Sequence, residues 1–154
     1  MSKLIINVEE DIFVSKYPHI ISTTLFVNHD GKCFPDNQWT DFTYPVLSTW
    51  EQLLVKNMHS ADIKFELFFM DGPYKLEIAK DKNMMLTIDC INFRHEKICE
   101  YKINCSYAEF LMALYEAIKN FNYALFKKGM NKGEFEGIFN QSIESMKKLK
   151  DTIQ

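Results

Sequence analysis

The sequence predicts an α+β domain, in which helices pack on an antiparallel β-sheet of about six strands and the elements follow in the order ββ-α-ββββ-αα. Two patterns carry this prediction. Apolar and polar residues alternate through much of residues 63–105, and short turns separate the alternating segments, which is typical of antiparallel strands. In residues 45–58 and 107–150, apolar residues instead recur at three- and four-residue steps, as they do on one face of a helix.

Length and composition indicate one domain. The 154 residues, of which 47% are hydrophobic and 25% are charged, suffice to bury one sizeable core. The chain has no low-complexity linker or internal repeat, and it contains only five glycines. We therefore expect residues 1–154 to form a single domain, of which the helical pair at 106–154 is a part.

The first third of the chain predicts two strands. Residues 4–8 are apolar and β-branched, with an extension towards Val14, and residues 20–27 are rich in Ile, Thr and Val. Pro18 interrupts the pattern between them. The segment 29–32 then supplies a turn, because its glycine accepts a positive φ and its aspartate can bond to the local backbone.

The first helix is predicted over residues 45–58. Thr43 is the expected N-cap, and Pro45 suits the first turn, where no backbone donor is needed. The apolar stripe expected to pack on the sheet consists of Val46, Leu47, Trp50, Leu53 and Leu54. The side chains expected to face water are Ser48, Glu51, Gln52 and Lys56.

Four further strands are predicted over residues 63–70, 74–79, 85–93 and 97–105. In the last pair, we expect Asn92 to lie opposite Lys97. This register sets Cys90 against Cys99 on a wholly apolar face, so both thiols are predicted to lie in the core.

Phe68 and Met70 are predicted to point away from the face formed by Ile63, Phe65, Leu67 and Phe69. Such an apolar pair is either covered by a helix or exposed as a binding surface. Because two helices are still to follow in the sequence, we expect the pair to be covered.

The last third of the chain predicts two helices. Ser106 and Glu109 form a capping box, in which the serine caps the helix and the glutamate reaches back to the serine amide. Helical spacing continues to Lys128, where Gly129 provides a stop. A second helix is expected from Glu134, with lysines near its electronegative C-terminal end. The apolar stripe of the first of the two consists of Phe110, Leu114, Ile118, Phe121 and Leu125.

The charge balance argues against some classes of partner. A net charge of −3 without clustered Lys and Arg argues against nucleic acid and gives no attraction to anionic membranes. No apolar run approaches the roughly 20 residues of a membrane-spanning helix, and residues 1–13 lack the pattern of a signal peptide. Four cysteines without CxxC spacing indicate free thiols in a reducing compartment, so we expect a cytoplasmic protein.

No cofactor or metal site is expected. The histidines, at positions 19, 29, 59 and 95, lack the spacing that places two imidazoles on one helix face. The residues from which a zinc site could be built are Cys90, Cys99, Cys105 and His95. The cysteines are predicted to face the core and the histidine to lie at a hairpin tip, so they do not converge. Nucleophile and phosphate-binding motifs such as GxSxG and GxGxxG are absent from the sequence.

Loop aspartates and one loop aromatic are open to two interpretations each. Asp36, Asp41 and Asp71 could supply paired carboxylates for hydrolysis, although aspartates in turns more commonly accept bonds from nearby amides. Trp39 either anchors a partner at a recognition surface or plugs the end of the sheet. In the second case Asp41 caps the first helix or bonds to the indole.

Two motifs resemble a known group of proteins. Residues 34–42 read FPDNQWTDF and precede a Trp-bearing helix, and residues 69–74 read FMDGPY. The combination resembles a group of small bacterial proteins that share an FPxxxWxDF segment and an FxDGPY turn, some of which resemble the immunity proteins encoded beside polymorphic toxins. The resemblance covers residues 20–105. It implies a bacterial cytosolic protein that binds and blocks a partner, and it transfers no catalytic residues.

These observations favour a non-enzymatic binding protein, of which an immunity protein that blocks a cognate toxin is one form. The alternatives are a small-molecule-binding or regulatory module with an apolar pocket, and a hydrolase that uses the loop aspartates. A homodimer through the C-terminal helices is a further expectation. The residues expected to contact a protein partner are Asp36, Trp39, Asp41, Asp71 and Tyr74.

Overall fold

The computed structural model describes residues 3–15 and 20–154. Within this part of the chain the strands are β1 (Leu4–Val8), β2 (Phe13–Val14), β3 (Ile21–His29), β4 (Lys32–Phe34), β5 (Thr40–Phe42), β6 (Ile63–Phe68), β7 (Tyr74–Lys80), β8 (Met85–Asn92) and β9 (Ile98–Ser106). The helices are α1 (Thr43–Asn57), α2 (Tyr107–Lys127) and α3 (Glu136–Ile153), and a 3-10 turn at Gly133–Phe135 precedes α3. Pro18, predicted to interrupt the first strands, and His19 lie outside the described residues.

The α+β class is confirmed, but the strands form two antiparallel sheets instead of one. β1–β5 form a five-stranded sheet, and β6–β9 form a four-stranded meander in sequence order. β3 organises the first sheet, because β1 and β4 pair with its C-terminal half whereas β2 and β5 pair with its N-terminal half. The first third of the chain, predicted to form two strands, therefore contains several short ones around a single long partner.

The first strand does not extend to Val14. β1 ends at Val8, and β2 begins at Phe13. Between them the carboxylate of Asp11 accepts hydrogen bonds from the amide and the hydroxyl of Thr24 in β3. These side-chain bonds take the place of strand pairing at the break.

The turn between β3 and β4 is confirmed. Asp30 and Gly31 have φ angles of 55° and 80°, as a type I′ turn requires, and His29 pairs with Lys32. The side-chain bond that supports the turn comes from Asn28, whose Oδ1 accepts the amide of Gly31 at 3.2 Å.

α1 begins at Thr43 instead of residue 45, and the predicted N-cap role of Thr43 is wrong. Phe42 occupies the N-cap position without a side-chain bond, while the buried hydroxyl of Thr43 lies 2.7 Å from that of Thr23 in β3. Pro45 falls in the first turn, as predicted. Thr43 therefore ties the helix to the first sheet.

The apolar stripe of α1 is confirmed, but one of its predicted polar positions is not. The stripe residues Val46, Leu47, Trp50 and Leu54 are fully buried, and Leu53 is partly buried against them. Glu51, predicted to face water, is only 3% exposed. The reason is that α3 packs on this side of α1, where the hydroxyls of Tyr44 and Ser145 lie 3.2 Å apart.

The predicted register of β8 and β9 is wrong. Cys90 lies opposite Tyr101 instead of Cys99, and the residue that pairs with Cys99 is Ile91. Glu100 has no pairing partner in β8 and forms a β-bulge. A shift by an even number of residues keeps the same side chains on the core face, so Cys90 is still buried. The bulge turns Cys99 to the surface.

α2 is capped at Ser106 as predicted, because the serine hydroxyl accepts the amide of Glu109 at 3.0 Å. The other half of the predicted capping box is wrong. The carboxylate of Glu109 lies 3.5 Å from the amide of Leu4 in β1, and it does not reach back to the amide of Ser106. α2 ends at Lys127, and Gly129, with a φ of 71°, provides the predicted stop.

One contiguous hydrophobic core joins both sheets to the helices. The predicted stripe of α2 is fully buried, from Phe110 to Leu125. α3 contributes Leu149 to the buried set, while Ile138, Phe139, Met146 and Ile153 are partly buried against it. On the other face of the β6–β9 sheet, side chains such as Glu66 and Glu77 reach the surface. We call this side the outer face of the sheet.

Candidate functional site

The residues predicted as a site lie where the first sheet meets the β6–β7 turn. Trp39 ends the loop between β4 and β5, and its carbonyl accepts the amide of Leu25 in β3 at 2.8 Å. Asp41 follows in β5, opposite Thr23 of β3. Because β3 anchors both positions, the pairing of the first sheet fixes the backbone on which the site is built.

The carboxylate of Asp41 binds three parts of the chain. Its Oδ2 accepts the indole Nε1 of Trp39 at 2.9 Å, and its Oδ1 accepts the amide of Phe42 at 2.8 Å. The amide of Met70, at the start of the β6–β7 turn, lies 3.1 Å from both oxygens. Asp41 is only 1% exposed, so it holds Trp39 and the turn together from beneath the surface.

The surroundings of Asp41 act on its pKa in opposite directions. Burial raises the pKa of this carboxyl above its ordinary value of 3.8, whereas the hydrogen bonds from the indole and from backbone amides oppose the rise. All of these donors favour the ionised form. The arrangement therefore suits a fixed acceptor, not a group that passes a proton to a substrate.

Trp39 fills the space between the two sequence motifs. Its indole lies edge-on to the ring of Tyr74, with the ring centroids 5.0 Å apart, and it contacts Gly72 directly. Tyr74 in turn meets the ring of Phe34 edge-on at 5.7 Å. The FPDNQWTDF segment and the FMDGPY turn are thus one packing unit between the two sheets, which we call the Trp39 junction.

The predicted contact residues differ in their access to solvent. Asp36 and Asp71 are exposed, Trp39 and Tyr74 are partly buried, and Asp41 is buried. The structure brings Trp39, Asp41, Tyr74 and the turn that carries Asp71 together. Asp36 is engaged within its own loop, where its Oδ1 accepts the amide of Gln38 at 2.8 Å.

Next to the junction, the outer face carries an aromatic cluster that sequence reasoning missed. Phe68 and Phe93 meet edge-on at 6.2 Å, and the Nζ of Lys75 lies 5.6 Å and 5.5 Å from the two ring centroids. Phe68 and Met70 are each 41% exposed, so the prediction that a helix covers them is wrong. The buried residues of α1 and α2 instead join the core formed by residues of the opposite face, such as Leu67 and Leu76. We call Phe68, Met70, Lys75 and Phe93 the aromatic patch.

A chain of ion pairs holds Lys75 over these rings. Its ammonium binds the carboxylates of Glu66 and Glu77, the latter at 3.1 Å, and Lys97 binds Glu77 at 2.8 Å. The hydrogen bond to Glu66 is the main reason that the pKa of Lys75 is raised. The hydrogen bond from Lys97 likewise lowers the pKa of Glu77. Both signs of charge therefore border the aromatic patch.

Arg94 connects the aromatic patch to the Trp39 junction. It follows Phe93 in the turn after β8, and its guanidinium lies 3.5 Å from the hydroxyl of Tyr74. The amide of Phe93 donates to the carbonyl of Pro73 at 2.9 Å. The β8–β9 turn and the β6–β7 turn are therefore joined at the same end of the meander. No sequence pattern indicated this contact, because it depends on the pairing of β7 with β8.

The cysteines and histidines are the other residues that were considered as candidates for a site. Cys90 and Cys105 are buried, which raises the pKa of each thiol to about 12, whereas Cys99 is exposed. The Nδ1 of His29 lies 2.8 Å from the hydroxyl of Tyr101. Across residues 3–15 and 20–154, no three His, Cys, Asp or Glu side chains are grouped closely enough to hold a metal ion.

Comparison of the chain with protein-family models, with curated proteins and with solved structures found no match. In the part of the chain that the structure describes, the helices are too short or too polar to cross a bilayer.

Proposed function

We propose that this chain is a non-enzymatic protein-binding protein, and that the aromatic patch and the adjoining Trp39 junction form its contact surface. The observation that carries the proposal is the exposed pair of Phe68 and Phe93, with Lys75 fixed above both rings. Isolated apolar side chains are common on protein surfaces, but a cluster of large ones bordered by charges is typical of an interface.

The surface is held in place before a partner arrives. Asp41 binds both the indole of Trp39 and the amide of Met70, so the start of the β6–β7 turn cannot move independently of the first sheet. Phe68 is fixed through its carbonyl, which accepts the indole of Trp50 at 2.9 Å. Anchors that are already ordered lose less conformational entropy on binding, which favours affinity.

Charge arrangement adds specificity to this surface. Glu66 and Glu77 alternate with Lys75 and Lys97 across the outer face, beside the aromatic rings. A partner that inserts an apolar side chain between the rings must also present charges opposite in sign to these alternating acidic and basic groups. Asp36 and Asp71 lie exposed at the nearby loops and extend the candidate contacts, whereas buried Asp41 supports them from below.

The resemblance of the two motifs to immunity-type proteins suggests the class of partner. On this proposal the chain binds a toxin domain in the bacterial cytoplasm and blocks it sterically. Such a role needs a complementary surface and no catalytic group. That requirement agrees with an aspartate whose oxygens are occupied by the indole and backbone amides.

The two alternatives have less support. For a hydrolase, Asp41 is buried as an acceptor, and Asp36 binds its own loop. For an apolar pocket, Trp50 is fully buried and packs edge-on against Phe69 at 5.2 Å. Surface grooves of about 550, 720, 410 and 480 Å³ are present, and neither tryptophan lines any of these four.

The test is co-expression with the toxin domain encoded by a neighbouring gene. Wild-type protein should restore growth and bind the purified toxin domain. Phe68→Ala should weaken binding by about 30-fold, which corresponds to a loss of about 2 kcal/mol at an interface anchor. Met85→Ala is the matched control, because Met85 is 45% exposed at the other end of the same sheet.

Equal binding by wild type, Phe68→Ala and Phe93→Ala would place the contact surface elsewhere. A gene neighbourhood without a secreted toxin would count against the immunity role. Each variant is first checked for an unchanged melting temperature, so that a loss of binding is not confused with unfolding.

A further inference from the structure

β1 is an edge strand with an open side. Among the strands described it pairs only with β3. The amide of Glu9 donates to the carbonyl of Thr24 in β3 at 3.1 Å, so odd-numbered residues of this segment direct their backbone groups to β3. The backbone N–H and C=O groups of Leu4, Ile6 and Val8 therefore point to the open side of the strand.

Among the described residues, a partner is present for the first of these outward amides alone. The carboxylate of Glu109 lies 3.5 Å from the amide of Leu4, which is long for a hydrogen bond. Within residues 3–15 and 20–154, the amides of Ile6 and Val8 have no partner. The strand reads LIINV and carries no charged side chain. An apolar strand with open backbone groups is a template for another strand.

The edge strands of the second sheet, β6 and β9, are better protected than β1 against pairing with another strand. Along β6, the indole of Trp50 in α1 donates to the carbonyl of Phe68 and so occupies one backbone acceptor of this edge. Along β9, the bulge at Glu100 breaks the regular spacing of the backbone groups, and Lys102 adds a charge. β1 has neither a bulge nor an internal charge.

α2 runs beside the open edge of β1 and forms a groove with it. Glu109 meets Leu4 at one end, and Lys127 binds the carboxylate of Glu10 at 2.9 Å at the other. The groove has a volume of about 480 Å³. Large apolar side chains from both of its walls reach solvent, since Ile5 is 40% exposed and Met112 is 44% exposed.

We propose that this edge binds a second copy of the chain, through antiparallel pairing of the two β1 strands about a twofold axis at Ile6. In this register the outward residues face each other, so Ile6 exchanges backbone hydrogen bonds with Ile6 of the second copy, and Leu4 does so with Val8. The bond from Leu4 then replaces its long contact with Glu109. Every residue of β1 is paired on both sides.

The charged residues on either side of β1 favour a second copy of this chain as the binding partner at the open edge. The same register places Lys3 opposite Glu9 of the second copy, and the symmetry forms this ion pair twice. Both side chains are exposed in the single chain. An unrelated strand has no reason to present a carboxylate and an ammonium at these two positions. The paired strands also cover the groove beside Met112.

Sedimentation velocity over a concentration series tests this dimer. Wild-type protein should show a monomer–dimer equilibrium, and Lys3→Glu or Glu9→Lys should each weaken dimerisation by about ten-fold, because two pairs turn repulsive. The double variant Lys3→Glu/Glu9→Lys restores opposite charges across the axis and should recover wild-type dimerisation. Recovery in the double variant cannot come from a loss of folding.

Hydrogen exchange identifies the strand edge directly. The amides of Ile6 and Val8 should become protected as the protein concentration rises, while those of Ile5 and Asn7, which face β3, should be protected at every concentration. A protein that stays monomeric overturns the proposal, even if these amides become protected when another protein is added. A dimer in which the amide of Ile6 exchanges freely also overturns it and points to an interface elsewhere, such as the C-terminal helices. Neither outcome bears on the aromatic patch, because the two surfaces share no residue.

Discussion

The indole of Trp39 lies so close to Gly72 that a Cβ atom on the glycine would be 2.6 Å from Cη2 of the ring. Carbon atoms do not approach to this distance without a shift of one of them, so the absence of a side chain makes room for the ring. The same ring donates to Asp41 and packs edge-on against Tyr74. Gly72 therefore secures the contact between the two sequence motifs.

Substitution of Gly72 by alanine tests this close approach. Gly72→Ala should displace the indole and lower the free energy of unfolding by about 1–3 kcal/mol, as overpacking does in other cores. Urea denaturation followed by tryptophan fluorescence measures the change. Gly137→Ala serves as the control, because an added Cβ there meets nothing within 4 Å and should stabilise the α3 helix by about 0.5–1 kcal/mol. A Gly72→Ala protein as stable as wild type would contradict the packing described.

The Asp41 carboxylate should stabilise the Trp39 junction through its ionised oxygens. Asp41→Asn removes the charge and places an amide donor against the N–H groups that now bind the carboxylate, so it should cost about 1.5–3 kcal/mol in the free energy of unfolding. Asp36→Asn is the control. Asn can keep the bond to the amide of Gln38 in this exposed loop, so a change within about 0.5 kcal/mol is expected.

A double-mutant cycle separates the shared bond from the packing of the ring. Trp39→Ala should cost about 3–5 kcal/mol, as truncation of a large aromatic does. Combined with Asp41→Asn, the loss should be smaller than the sum of the two single losses, because both changes remove the same hydrogen bond. Unchanged melting of Trp39→Ala would show that the ring is not structural and would move it to the contact surface alone.

Local patterns in the sequence were sufficient to predict the helices and most strands. The three- and four-residue spacing from Phe110 to Leu125 fixed the buried face of α2, and Gly129 marked its end. Such signals depend on neighbours in the chain. The exposure of Glu51 was predicted wrongly because its burial depends on α3, which comes much later in the sequence and packs on α1. Amphipathic spacing does not show which helix covers a polar face.

The candidate site was also only partly predictable, because some of its contacts join residues that are distant in the sequence. The nearness of Trp39 and Asp41 in sequence suggested their bond, and that bond is present. The meeting of Phe68 with Phe93 depends on the order and register of β6, β7 and β8, which no local pattern specifies. A register shift by two residues leaves both faces of a strand unchanged, so alternation alone cannot detect it.

Glu51 should make the stability of the protein depend on pH. Burial raises the pKa of this carboxyl above its ordinary value of 4.5, although the ammonium of Lys148 opposes the rise. Between the ordinary and the raised pKa, the folded state binds more protons than the unfolded state. The contribution of Glu51 to stability therefore falls as the pH rises through this window, and the cost is fully present above it.

Replacement of Glu51 by glutamine should remove this cost. Glu51→Gln should raise the free energy of unfolding at neutral pH by roughly 0.5–2 kcal/mol, and the gain should shrink as the pH falls towards the ordinary pKa. Thermal unfolding at several pH values measures both effects. Glu116→Gln, at an exposed position of α2, is the matched control for the loss of one carboxylate. A gain that is the same at every pH would show that ionisation of Glu51 is not its source.

The reactivity of the thiols should distinguish the observed register of β9 from the one that alternation predicts. The bulge at Glu100 exposes Cys99, whereas the predicted register places it in the core beside Cys90. At pH 8, Cys99 should react first with a thiol reagent and the partly buried Cys33 more slowly. Cys90 and Cys105, whose pKa values burial raises to about 12, should react only on unfolding. Cys99→Ser should remove the fast phase alone, and a fast phase that survives this change would favour the register without the bulge.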